Sequence, residues 1–103
     1  MPSGVLGQAA LAAATNTTVY TVPVGMVASF NINAVNRGSS AATVRIAIAS
    51  SAAPTDAEWI EFDASIPANG VLERTGIVAH GAERVVVQAS TANVSVNVYG
   101  YEE

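Results

Sequence analysis

The stretch from Thr18 to Ser50 constrains this chain more than any other: TVYTVPVGMVASFNINAVNRGSSAATVRIAIAS. From Met26 the even positions carry Met26, Ala28, Phe30, Ile32 and Ala34, while Ser29, Asn31 and Asn33 stand between them. Apolar residues at every second position belong to a β-strand with one face in a core. After Asn36-Arg37-Gly38-Ser39-Ser40, the alternation resumes with Val44, Ile46 and Ile48 set against Arg45, Ala47 and Ala49. The two runs read as a hairpin with both apolar faces on one side of a sheet. Pro23-Val24-Gly25 reads as the turn that ends a shorter strand, Thr18–Val22.

The rest of the chain repeats this pattern. Further strands are expected at Glu58–Phe62, Val71–Val78, Glu83–Ser90 and Val94–Tyr101. In the first of these, Ile60 and Phe62 should face inward, with Trp59 and Glu61 outward, the other reading being a register shifted by one that puts Trp59 in the core. In the last, Val94, Val96 and Val98 should face inward, with Ser95, Asn97 and Tyr99 outward. Gly76 inside a strand signals a bulge or a close backbone approach. Asp56 is a candidate cap for a single helical turn. Turn residues every eight to twelve positions predict an all-β fold, an antiparallel β-sandwich of jelly-roll-like form with seven to eight strands. The 103 residues suffice for one domain. Fifteen Val, six Ile and three Leu supply its core, and β-branched side chains favour strands.

Residues 1–17, MPSGVLGQAALAAATNT, show no clear period. We expect an extended N-terminal arm ahead of a single sandwich domain spanning residues 18–103. The arm is expected to contact a neighbouring chain, the other possibility being an added strand in its own sheet. Its apolar residues Val5, Leu6 and Leu11 are interface candidates, as are the outward aromatics Trp59, Tyr99 and Tyr101.

Charge narrows the function classes. Only 12% of residues are charged, with four Arg, no Lys and a net charge of -4. Typical globular domains carry about 25%. Such a surface reads as one partly hidden in an assembly, or as a neutral polar monomer surface. Nucleic-acid binding needs clustered cations, which are missing here. No run is long enough to span a membrane, and the N-terminus lacks a signal-peptide pattern, so synthesis in the cytoplasm is expected.

The sequence has no cysteine and one histidine, His80, so thiolate chemistry and the usual metal-ligand spacings are excluded. Asp56, Glu58, Glu61 and Asp63 cluster in sequence, and strand alternation would set Glu61 and Asp63 on one face. That allows a carboxylate pair or a calcium site, but a solvated edge that discourages aggregation explains the cluster more simply. No nucleophile-elbow or phosphate-binding glycine motif is present. We expect no enzyme activity and no cofactor.

Three runs together, YTVPVG, NINAVNRGSSAATVRIAIA and IPANGVLERTGIVAHGAERVVVQASTANVSVNVYGYE, give the chain its family likeness. Over residues 18–101 it resembles small virion proteins of tailed bacteriophages, in the pattern of strand and turn residues. The resemblance implies a β-sandwich building block similar to capsid decoration (cement) proteins. Such a protein would bind the major capsid protein on the outer capsid surface, as a homotrimer. The alternative implied is a tail fibre or baseplate module that binds a host receptor or glycan, for which Trp59, Tyr99 and Tyr101 would form the platform.

Overall fold

The computed structural model describes residues 3–103. Eight strands follow one another: β1 (Ser3–Ala10), β2 (Thr17–Thr21), β3 (Val27–Asn36), β4 (Ala42–Ala49), β5 (Trp59–Ile66), β6 (Val71–His80), β7 (Arg84–Ala89) and β8 (Val94–Glu102). A single 3-10 turn, Asp56–Glu58, precedes β5. The strands form two four-stranded antiparallel sheets, ordered β1-β8-β3-β6 and β2-β7-β4-β5. β1 pairs with β8, β2 with β7, β3 with β6 and β4 with β5. These pairings are those of one long antiparallel ribbon wrapped into two layers, the winding of a jelly roll.

The core lies between the layers. Ala28, Phe30, Ile32 and Ala34 of β3 and Val94, Val96 and Val98 of β8 face Val44 and Ile46 of β4 and Val85 and Val87 of β7, all buried. The alternation seen in the sequence is therefore the inward face of these strands. One polar link crosses the interior, where the Tyr20 hydroxyl donates to the Glu102 carboxylate and both residues are buried. Burial pushes the Tyr20 phenol above its usual range, and the Glu102 hydrogen bond and charge push it further. The Tyr20 ring also meets Phe30 edge-on at 5.8 Å.

Three expectations are corrected. First, β3 and β4 do not form a hairpin. Their apolar faces meet from opposite layers, because residues 37–41 carry the chain across from one sheet to the other. Buried Asn36 holds this crossover. Its amide donates to the carbonyls of Ser40 (2.8 Å), Ile66 (3.2 Å) and Pro67 (3.3 Å), and its Oδ1 accepts from Gly38 N–H at 2.9 Å. Gly38 serves close packing: a Cβ there would lie 2.8 Å from the Asn93 amide nitrogen.

Second, residues 3–11 are part of the sandwich. β1 pairs with β8 of its own sheet, which is the less favoured of the two options for the arm, and Met1 and Pro2 lie outside the described residues. Its alternation is masked by an extra residue between Val5 and Gly7 and by Gly4 at φ 101°. At Gly7 a side chain is impossible, since a Cβ would sit 2.2 Å from the Val19 carbonyl oxygen of β2. Along this edge the two layers close backbone to backbone.

Third, β5 does not keep a period of two. Its pairing with β4 shifts twice, between Val44 and Ile46 and again between Ile46 and Ala47, and Asp63 adopts φ 55°. Each shift puts an extra residue on β5 and reverses the faces that follow. Phe62 is consequently 56% exposed rather than inward. Glu61 lies opposite inward Ile46, and Arg74 opposite inward Ile32. The two meet at 3.1 Å, an ion pair that closes the second edge of the sandwich between β5 and β6. The expected bulge at Gly76 is present, with φ 70° and a register shift against β3.

Candidate binding face

The six interface candidates fall in three different places. Leu11 is 2% exposed in the core, so it is removed from the surface, and its N–H donates to the Val94 carbonyl at 3.0 Å. Leu6 sits in the β1 bulge, half-buried against the same core. Val5, Tyr99 and Tyr101 come together on the outer face of the β1-β8-β3-β6 sheet. Trp59 lies on the outer face of the other sheet.

The register builds the first face row by row. Ser3, Tyr101, Ser29 and Val78 stand opposite one another across the four strands. The next row holds Val5, Tyr99 and Asn31, and the one after it Gln8, Asn97, Asn33 and Glu73. Another carries Ala10, Ser95, Val35 and Val71. Val5 is 60% exposed, Val78 65% and Tyr101 47%. The amides are tied down. Gln8 Nε2 donates to Asn97 Oδ1 at 2.7 Å, and Asn31 Oδ1 accepts from the Gly76 N–H in the bulge at 3.0 Å. Tyr99 donates to Glu73 at 3.3 Å. The result is an uncharged platform at its two central strands, with valine and tyrosine standing out of a carpet of Asn, Gln and Ser. Sequence reasoning found the tyrosines and Val5 but missed Val27, which alternation on β3 points outward, and Val71 and Val78, which both point outward because the extra residue at the Gly76 bulge reverses the faces of β6 between them.

The opposite face is different in kind. Trp59 lies opposite Ala47 and covers Ala47, Ala49 and Val86, which are fully buried although they point away from the main core. Phe62 meets the Trp59 ring edge-on at 5.6 Å, and the Arg45 guanidinium lies 4.0 Å from the centre of the Phe62 ring. The same guanidinium donates to both oxygens of Asp63, at 2.7 and 3.2 Å, and holds that carboxyl below its ordinary value.

The acidic cluster is dispersed by these arrangements. Asp63 is held by Arg45 on the outer face and Glu61 by Arg74 at the edge. Glu58 accepts from the Thr55 N–H at 2.8 Å and the Ser50 N–H at 3.0 Å, bonds that lower its pKa and fasten the 3-10 turn to the end of β4. Thr55, not Asp56, occupies the capping position of that turn. The carboxylate pair that strand spacing allowed is thus not assembled. Among the described residues no group of three His, Asp or Glu side chains is arranged to hold a metal ion, and no helix is long and apolar enough to cross a membrane. His80 is exposed at the end of β6, 3.6 Å from Glu83.

No family model matches this chain, and no curated protein matches it.

Proposed function

We propose that this chain is a structural protein of a tailed-bacteriophage particle, a decoration protein that binds the major capsid protein on the outside of the head. The observation that carries the proposal is the low-charge platform on which Val5, Tyr99 and Tyr101 stand together. A cement protein acts through shape and contact area, and aromatic and apolar side chains on an uncharged face suit that task. The strand and turn pattern of residues 18–101 supports the same reading through its resemblance to virion proteins. The jelly-roll winding agrees with it as fold-level analogy, since jelly rolls serve in capsids and also in lectins.

The test is to purify particles from the phage that encodes this chain and label them with a specific antibody. The expected result is label spread over the head in many copies. Label confined to the tail tip would transfer the tyrosine platform to a receptor- or glycan-binding role. Particles without label would overturn the virion assignment.

A further inference from the structure

We infer that the outer face of the β1-β8-β3-β6 sheet is a self-association surface, and that its occupant is a second copy of this chain, related by a two-fold axis. Size is the first argument. Four strands about 4.8 Å apart and about eight residues long, at about 3.3 Å per residue, give a footprint on the order of 500 Å² in projection. Accessible area exceeds the projection of a corrugated face. The footprint therefore approaches the roughly 600 Å² per partner at the lower limit of specific interfaces.

Self-complementarity is the second argument. In a two-fold contact the same patch is used by both copies. A charge near the axis then meets its own like, whereas an amide or hydroxyl both donates and accepts and can pair with its own copy. The central strands present Val27, Ser29, Asn31, Asn33 and Val35 from β3 and Ser95, Asn97, Tyr99 and Tyr101 from β8. None of these nine side chains is charged. The charges of the face stand at its margins: Glu73 and His80 on edge strand β6, Glu103 paired with Val27 at one end, and Arg37, which donates to Ser95 at 2.8 Å, at the other.

Charge distribution is the third. The chain carries a net charge of -4. Asp63, Glu58 and Asp56 lie on or beside the opposite sheet and Glu102 is buried, which leaves Glu73 and Glu103 at the margins of this face. Two copies of an acidic chain therefore meet without like charges opposed when they meet along the central β8-β3 strip. A two-fold pair departs from the three-fold arrangement implied by the family resemblance, because a three-fold ring needs two different patches on each chain. The pair draws on the same platform that the virion reading assigns to the capsid contact, so the two contacts exclude one another, and the experiment below tests the pair on the free chain alone.

The experiment is native mass spectrometry and light scattering on the purified chain from about 1 to 200 µM, a range in which a micromolar dimer is populated. The expected result is a species of twice the 10.4 kDa chain mass that grows with concentration. Tyr101→Asp and Val78→Asp, each on a half-exposed or more exposed side chain of this face, should each weaken association at least about tenfold. Thr18→Asp, exposed on the opposite sheet, should leave it unchanged. Far-UV circular dichroism confirms that each variant is folded, and Val78→Asp on the edge strand serves if Tyr101→Asp does not fold. A monomer at every concentration, a trimer, or a dimer indifferent to both face variants would overturn the inference.

Discussion

The two outward faces of this sandwich use similar residues to opposite ends. On the β2-β7-β4-β5 sheet, Trp59 and Phe62 are engaged by their own chain: Trp59 roofs Ala47, Ala49 and Val86, and Phe62 lies beneath Arg45. On the β1-β8-β3-β6 sheet, Val5, Val78 and Tyr101 stand out from a row of short polar side chains with nothing above them in the monomer. An outward aromatic is thus not by itself a binding signal. What distinguishes the two faces is whether neighbouring strands supply a partner for the ring. β5 does so through its two extra residues, which bring Trp59 and Phe62 to one side. β8 keeps strict register with β3 and leaves Tyr101 projecting, while Tyr99 is held only through its hydroxyl, which donates to Glu73.

The largest effect is expected where a tyrosine is satisfied on the inside. Tyr20→Phe removes the hydroxyl that meets buried Glu102, leaving a carboxylate in the core without that partner. A loss of about 2–3 kcal/mol in urea unfolding is expected. The same hydroxyl makes stability fall at alkaline pH. The folded chain holds the Tyr20 proton above the ordinary tyrosine range, near pH 10, while the unfolded chain releases it. The unfolded state then binds fewer protons, so stability is fully present below about pH 10 and declines as pH rises beyond it. Tyr20→Phe should flatten that decline. An unchanged slope would show that the Tyr20–Glu102 link is not its source.

The direct contrast of the faces comes next. Trp59→Ala should cost about 2 kcal/mol, less than a fully buried aromatic, because the ring covers only a satellite cluster. Tyr101→Ala should change the unfolding free energy of the dilute chain by no more than about 0.5 kcal/mol. Equal losses at the two positions would break the comparison, since Tyr101 would then be as engaged within its own chain as Trp59.

How far the sequence revealed this arrangement depended on whether a strand keeps its period. β3, β4, β7 and β8 alternate without interruption over their inward residues, and their core positions were legible. So was the bulge at Gly76, because glycine inside an apolar strand marks it. β1 and β5 were misjudged for one physical reason. An inserted residue reverses the faces downstream, and nothing in Val5-Leu6-Gly7 or Ile60-Glu61-Phe62-Asp63 announces the insertion to a reader counting by twos. The β3–β4 crossover was illegible for another reason. A five-residue loop with glycine fits a hairpin as well as a passage between layers, and the buried amide of Asn36 that decides the matter acts on residues thirty positions away.

The smallest effect separates the faces by charge. Asp63 is the carboxylate that Arg45 grips on the Trp59 side, and its pKa is lowered by that hydrogen bond first and by the opposite charge second. The sign follows from linkage. The unfolded chain takes up the proton at the ordinary aspartate value while the folded chain resists it, so the contribution is present above that value and is lost as pH falls through the lower, folded one. Both partners are exposed to solvent, so the gain is small and weakens with added salt. Asp63→Asn should therefore lower stability slightly at neutral pH and remove an equally small part of the acid dependence of unfolding below about pH 4. It should also loosen Arg45 over Phe62, seen as a change in the Phe62 and Trp59 ring resonances, with the Tyr99 and Tyr101 resonances unmoved. If the tyrosines shift as well, the two faces communicate through the core, and the independence on which the comparison rests is lost.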